Sequence, residues 1–212
     1  MKLEIKEYRK LSLLQQEIVL NNYKIKLSQF KEAYTEIDEI KNAIINDKDF
    51  YIYVIIDILE NKILGHIQFK HLKETNTLIV DYIYLNTSIN TKNIYKLLNK
   101  TLIKNFNYNQ LVSEITFFDK KRNKALEKVF KRYGFIISEF KYIQPPTESI
   151  FPVFGKLLIL KQKETYNFNS IIKDIYINHY VYWYKHRLFY NIYIIILYQL
   201  QKSFLKKNKL II

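Results

Sequence analysis

A polar stretch at residues 90–94 separates an apolar, β-branched run from a helical pattern, and such a junction can bind an anion. The first turn of a helix offers backbone N–H groups without intrahelical partners and a partial positive charge, which both favour phosphate. A lysine in the stretch adds a full positive charge. The stretch is a candidate phosphate-binding turn, although it fits an ordinary polar helix start equally well. Its residues are Asn90, Thr91, Lys92, Asn93 and Ile94.

Asp81 is the one acidic residue in the apolar segment 77–85. A carboxylate in a buried strand costs free energy unless it is paired or has a function. The functional alternative is a group that takes a proton from a substrate. The structural alternative is an acid at a strand edge that pairs with a lysine. We take the functional interpretation.

The histidines do not suggest a metal site. His66, His71, His179 and His186 lack the spacing of metal ligands, and the chain has no cysteine for disulfides or thiolate ligands. No metal is therefore expected. His66 falls on the more polar side of a strand pattern and could line an acceptor site, but such a position is more typical of the surface.

Residues 115–135 form a complete supersecondary pattern, ITFFDKKRNKALEKVFKRYGF. A β-branched and aromatic run predicts a strand, and a polar loop follows it. Asn123 is a suitable N-cap for a helix, because its amide oxygen can accept from the first-turn N–H groups. Gly134 is a suitable stop, since glycine adopts the left-handed conformation without strain. The helix would bury one apolar stripe of Leu126, Val129, Phe130 and Tyr133.

This unit resembles the last core motif of the GNAT superfamily, the acyl-coenzyme A dependent N-acyltransferases. The family pattern is an Asn that opens the helix, an aromatic residue seven positions later, and Gly-Phe at positions eleven and twelve. Asn123, Phe130, Gly134 and Phe135 occupy those positions. Residues 62–67 also look like the family's third strand, in which glycine commonly follows two apolar residues. The resemblance covers about residues 1–163.

The order of predicted elements in residues 1–163 is similar to that of GNAT proteins. The resemblance implies an α/β fold with a mixed, mostly antiparallel central sheet flanked by helices. Strands are expected near 3–8, 51–58, 63–72, 77–85, 111–118, 135–143 and 153–161, and helices at 12–25, 30–44, 94–106 and 123–133.

The resemblance also implies acetyl-coenzyme A as co-substrate, with its pyrophosphate at the turn 90–94. The family places Gln or Arg, then Gly, then Gly or Ala where this chain has Asn90, Asn93 and Tyr95. Both small residues are missing, so the turn is degenerate. Tyr95 could obstruct the approach of the phosphates to the backbone.

The resemblance assigns further roles. Asp81 would be the catalytic base, because many relatives have Glu on this strand. A backbone amide near Tyr84 and Leu85 would stabilise the oxyanion, with Leu85 also at the coenzyme. Asn123 and Phe130 would contact the coenzyme, but Phe130 stands where the family commonly has a proton-donating tyrosine. A general acid contributes about 10²–10⁴-fold, and a thiol with a pKa of about 8.5 leaves tolerably without one.

The chain has 212 residues and a formal net charge of +14, which could indicate a nucleic-acid binder. Amino acids with AT-rich codons, among them lysine, dominate the sequence. A genome of low GC content therefore explains much of the lysine excess. Abundant lysine with only four arginines is also a weak signature of base or phosphate recognition, so nucleic acid is not an expected partner. Residues 1–10 are charged and predict no signal peptide. A cytoplasmic location is expected.

Residues 164–212 differ in composition and predict a separate extension. They are rich in Tyr and Ile, basic, and free of Gly and Pro after residue 166, which predicts one or two helices from about Ser170 to Lys206. The uncharged run between Arg187 and Lys202 is shorter than the roughly 20 residues of a membrane span. The segment could be a docking helix, an interfacial anchor or a dimer element. We expect residues 1–163 to fold without it.

Three functions remain open. The first is an N-acyltransferase that transfers an acetyl or another acyl group to an amine of a small molecule or a protein. The second is a GNAT-like domain with weakened catalysis that serves as a binding or assembly module. The third is a basic protein that binds nucleic acid or an acidic membrane. Peripheral membrane contact by the extension and a homodimer are both compatible with the pattern.

Overall fold

The computed structural model describes residues 2–27, 37–85, 91–116, 120–146, 151–162, 167–183 and 187–207. The described part of the chain has α/β architecture, with a mostly antiparallel sheet flanked by helices. The strands are β1 (Leu3–Glu7), β2 (Phe50–Asp57), β3 (Lys62–Leu72), β4 (Thr77–Leu85), β5 (Gln110–Thr116), β6 (Ile136–Ile137), β7 (Tyr142–Gln144) and β8 (Val153–Lys161). The α-helices are α1 (Leu13–Leu27), α2 (Ile37–Asn46), α3 (Thr91–Asn105), α4 (Lys120–Arg132), α5 (Phe168–Asp174) and α6 (Leu188–Lys207).

The chain divides into two compact units. Unit 1 comprises Met1–Lys70 and Val80–Asn107, and unit 2 comprises His71–Ile79 and Tyr108–Ile212. The predicted element order is confirmed in the described ranges, except that two short strands, β6 and β7, stand where one was expected after α4. Expected residues 30–36 of the second helix lie outside those ranges, and α2 begins at Ile37.

Unit 1 contains strands in the order β1-β2-β3-β4. The β1–β2 and β2–β3 ladders are antiparallel, and the β2–β3 register shifts between Ile55 and Ile56. Both faces of β2 are largely buried, as its continuous apolar run predicts. A small apolar cluster lies beside the end of β4 and consists of Ile55, Leu64 and Ile94, with Leu3, Ile5 and Leu85 packed against it.

Unit 2 contains β5, β8 and β6 in that order, with the short strand β7 also paired with β8. All three of these ladders are antiparallel. The single strand expected at 135–143 is wrong, because the chain turns between β6 and β7. The Ser138 hydroxyl accepts from the Leu157 amide at 3.0 Å and donates to the Phe140 carbonyl at 3.3 Å, which stabilises this turn.

The C-terminal extension is helical, as predicted for about 170–206. Helix α5 continues into a π-helix, Ile175–Val181, and α6 follows. The Asn167 side chain caps α5 by accepting from the amides of Asn169 and Ser170.

The compact units do not divide at residue 163. Ile172 and Tyr176 of the extension lie in the same hydrophobic cluster as Val112, Tyr142 and Leu157, and all five are fully buried. The extension therefore supplies core of unit 2. Composition did not reveal this packing, because a change of amino-acid usage carries no information on where apolar side chains are buried.

Candidate functional site

The candidate site in unit 1 lies on the second half of β4. The first four residues of this strand are buried, and from Asp81 onward the side chains are half-buried or exposed. Asp81 itself is exposed. The expectation that this carboxylate is buried, and must therefore be paired or functional, is wrong. A role in proton transfer rests instead on its neighbours.

A chain of hydrogen bonds connects Asp81 to the interior of unit 1. The Tyr23 hydroxyl on α1 donates to the Gln68 side-chain carbonyl at 3.0 Å. The Gln68 amide on β3 donates in turn to a carboxylate oxygen of Asp81 at 3.3 Å. Tyr23 is fully buried and Gln68 is buried, so the side chain that donates to the exposed carboxylate is itself held by a buried hydroxyl.

Three tyrosines surround His66 on β3, and we call Tyr23, Tyr82 and Tyr84 the tyrosine cluster. Their ring centroids lie 4.3, 5.7 and 5.4 Å from that of His66. Burial is the main reason that the pKa of Tyr82 rises to about 12, and Tyr84 adds to it. Burial also raises the pKa of Tyr23 well above its usual value, with smaller contributions from Tyr82 and Asp81. Both hydroxyls therefore stay protonated at neutral pH.

His66 was expected at the surface, and this prediction is wrong. Its side chain is fully buried, because the tyrosine cluster covers the face of β3 that the alternation pattern marked as polar. Burial lowers the pKa of His66 to about 3, so the ring is neutral at pH 7 and offers one donor and one acceptor. Neither ring nitrogen has a hydrogen-bond partner among the described residues.

The predicted phosphate-binding turn is partly described. Asn90 lies outside the described residues, as does the Thr91 side chain, while α3 begins at Thr91. Lys92 and Asn93 are exposed, and the first turn of α3 contains no acidic residue. Ile94 is only 3% exposed and packs in the apolar cluster with Leu85 half-buried beside it, so only its backbone could contact a ligand.

These residues fit an anionic group. The first backbone N–H groups of a fifteen-residue helix have no intrahelical partners, and the helix dipole favours negative charge there. Packing of Ile94 against Leu64 and Ile55 anchors this end of α3. Tyr95, which could obstruct a backbone approach, is half-buried.

Helix α4 belongs to unit 2 and begins at Lys120. Asn123 is therefore a residue of the first turn and not its N-cap, and its side chain lies outside the description. The physical reason is that Lys and Arg are good helix formers, so the polar segment expected as a loop continues the helix toward the N-terminus.

The predicted helix end at Gly134 is confirmed, with φ of +85°. The Gly134 amide donates to the Lys131 carbonyl at 3.0 Å and the Phe135 amide to the Phe130 carbonyl at 3.1 Å, which is a Schellman motif. The Phe130 and Phe135 rings make the accompanying apolar contact, edge to face at 5.0 Å. Phe130 thus has a packing role that explains an aromatic residue here without a hydroxyl.

Two negative findings concern the described residues. Among them, no group of three or more His, Cys, Asp or Glu side chains could hold a metal ion. Of the helices in those ranges, none has both the length and the apolar character that crossing a membrane requires.

Comparison with known proteins gives no match to a family model and no curated relative. Solved structures do match. A protein described as an acetyltransferase of the GNAT family from Bacteroides thetaiotaomicron aligns with 90% of this chain and 99% of its own, at 17% identity and a TM-score of 0.61. This coverage extends beyond residues 1–163.

Two further matches have bound ligands. The Campylobacter jejuni N-acetyltransferase PseH in complex with acetyl coenzyme A is 18% identical, covers 76% of this chain and all of its own, and has a TM-score of 0.51. The spermidine N-acetyltransferase from Vibrio cholerae in complex with CoA and spermine is 16% identical, with 76% and 95% coverage and a TM-score of 0.53. At these identities the similarity concerns the fold: the chain has the GNAT fold.

Proposed function

We propose that this chain is an acetyl-coenzyme A dependent N-acetyltransferase whose acceptor is an amine of a small molecule or a protein. The observation that supports this most directly is the exposed Asp81 carboxylate on β4, the strand that the GNAT resemblance assigns to catalysis. This carboxylate accepts from Gln68, which in turn accepts from Tyr23. The similar folds with bound acetyl coenzyme A, or with CoA and spermine, support the choice of co-substrate and acceptor class.

The coenzyme would supply the acyl thioester, and its phosphates would bind at the start of α3. Backbone N–H groups in the first turn of α3 would donate to them, and the exposed Lys92 would add positive charge. No acidic residue in this turn opposes an anion. The apolar cluster around Ile94 would keep the turn in place at the end of β4.

Asp81 would accept a proton from the acceptor ammonium, because only the neutral amine is nucleophilic. Gln68 would orient the carboxylate by donating to one of its oxygens. Backbone N–H groups near Tyr84 and Leu85 would stabilise the oxygen on which negative charge develops. The half-buried Tyr82 and Tyr84, near Asp81 on β4, would favour a cationic acceptor, since aromatic faces attract ammonium groups.

Phe130 cannot donate a proton to the departing thiolate. The ordinary thiol pKa of about 8.5 makes departure as thiolate feasible, so a working enzyme is compatible with this residue. The same feature favours a second candidate function. A GNAT-fold domain that binds the coenzyme but turns over slowly would serve as a binding or assembly module.

Calorimetric titration of the full chain with acetyl-coenzyme A tests binding, and release of free thiol in the presence of polyamines, amino sugars and peptides tests transfer. The chain has no cysteine, so thiol reagents report only the product. Lys92→Ala should weaken coenzyme binding, while Lys96→Ala, one turn later and also exposed, should not.

Asp81→Asn should lower kcat about 10²-fold or more and leave coenzyme affinity unchanged. Asp38→Asn, which removes an exposed acid of α2 paired with Lys41, is the matched control. If the chain binds acetyl-coenzyme A but transfers acetyl to no amine, the binding or assembly module becomes the favoured function. Absence of coenzyme binding would exclude both functions.

A further inference from the structure

Helix α6 is apolar on two sides, and unit 2 covers only one of them. Ile194, Leu197 and Leu205 are buried in the hydrophobic cluster of unit 2. Gln201 is fully buried beside them, accepts from the Ile143 amide at 2.7 Å and donates to the Lys141 carbonyl at 3.1 Å. These contacts fix the orientation of α6 on unit 2.

The opposite side of α6 is an exposed apolar surface, which we call the outer face. Phe189 is 88% exposed, Leu188 69% and Ile196 52%. Their spacing and that of the other members places them on one side of the helix over about 18 Å. The outer face consists of Leu188, Phe189, Ile192, Ile195, Ile196 and Leu200.

The charges that α6 itself contributes are positive. Helix α6 contains no acidic residue, and the exposed Lys202 is followed in the same helix by Lys206 and Lys207. The one acid of α5 and the π-helix is Asp174, which is fully buried and accepts from Thr75 and Asn178. A helix with an exposed apolar face, with lysines and without acidic residues is complementary to a surface that has an apolar interior and anionic groups outside.

We propose that the outer face of α6 binds the surface of an anionic lipid membrane. The apolar side chains enter the boundary between headgroups and acyl chains, and the exposed Lys202 approaches the lipid phosphates. A second copy of the chain fits less well. It would bring together two copies of a helix that has lysines and no acidic residue, on a protein of net charge +14.

The test is sedimentation of the full chain with vesicles of phosphatidylcholine alone and of equimolar phosphatidylcholine and phosphatidylglycerol. We expect binding to the anionic vesicles. The triple variant Phe189→Ser/Ile192→Ser/Ile196→Ser keeps the net charge and should lower the partition coefficient about tenfold or more. Leu13→Ser/Leu14→Ser, which changes two exposed leucines of α1 in unit 1, is the matched control and should bind as the wild type does.

Equal binding of the triple variant and the wild type would overturn the proposal, because the net positive charge would then explain adsorption. Absence of binding by the wild type would also overturn it. A wild-type dimer in light scattering without lipid, which the triple variant converts to a monomer, would assign the face to a second copy instead. If the triple variant does not fold, Phe189→Trp in a Trp183→Phe background replaces it, and a blue shift of its fluorescence on anionic vesicles is the expected result. No shift would count against the proposal.

Discussion

The α-carbon of Gly65 faces the backbone of Tyr84 so closely that a methyl group on it would lie 2.4 Å from the Tyr84 carbonyl oxygen. The same methyl group would lie 2.9 Å from a side-chain carbon of Leu85. Glycine at position 65 of β3 therefore allows the end of β4 to lie this close. This end of β4 contains the residues proposed for catalysis.

Gly65→Ala should reduce the free energy of unfolding by about 1–3 kcal/mol, because the backbone of β4 must move to accept the methyl group. Urea denaturation measures it. Ile83→Val, at an exposed side chain next to Tyr84, should change stability by less than about 0.5 kcal/mol. Equal stability of Gly65→Ala and wild type would show that β4 shifts without cost.

Gln68→Leu should lower both stability and the proposed activity. The buried Tyr23 hydroxyl loses its acceptor, which costs about 1–3 kcal/mol, and Asp81 loses the donor that holds its carboxylate. We expect kcat to fall while coenzyme affinity is unchanged. Tyr23→Phe removes only the first bond and should affect activity less, and a double-mutant cycle would give their coupling. If the effects of Gln68→Leu and Tyr23→Phe are additive, the hydrogen bonds of Tyr23, Gln68 and Asp81 do not act as one connected chain.

The buried His66 should make stability depend on pH. Its pKa is about 3 in the folded protein and 6.5 ordinarily, so between these values the unfolded chain binds a proton that the folded chain does not. The stability contribution is complete above pH 6.5 and is lost as the pH falls toward 3. Relative to His66→Phe, the wild type should lose about 2 kcal/mol from pH ~7.5 to pH ~5. If the difference in free energy of unfolding between the wild type and His66→Phe is the same at both pH values, the burial of a neutral ring is contradicted.

Phe130→Tyr should raise turnover about tenfold or more if departure of the thiolate limits the rate, because a phenol can donate the missing proton. The Schellman motif uses backbone groups of this residue and should be retained, so thermal stability should change little. Tyr133→Phe is the control and should leave turnover unchanged. A turnover that does not rise, with coenzyme affinity intact, would favour the binding module.

A chain that ends at Lys163 should aggregate or lose cooperative unfolding. The truncation exposes Val112 and Leu157. It also removes Gln201, which accepts from the Ile143 amide, and Tyr176, which donates to the Ile143 carbonyl. Circular dichroism melting and the soluble fraction measure this. Gln201→Leu is the milder variant and should cost about 1–3 kcal/mol. A soluble 1–163 fragment with cooperative unfolding would restore the boundary that composition indicated.

Local chemistry explains what the sequence alone determined. Hydrophobic periodicity was sufficient for the order of strands and helices, because period and turn residues act over a few positions. Gly134 ends α4 and Phe135 follows in contact with Phe130, as their types predicted. The ordered set of elements then led to the GNAT fold although neither family models nor curated relatives match.

The tertiary structure decided what depends on residues distant in sequence. Alternation placed His66 on a polar strand face, but Tyr23, 43 positions earlier, and two tyrosines of β4 bury it. Composition separated residues 164–212 from the core. In the structure, however, Tyr176 and Gln201 form hydrogen bonds with the Ile143 carbonyl and amide of β7, so these residues belong to the core. Burial and hydrogen-bond partners arise from packing between elements, which the period of one element does not contain.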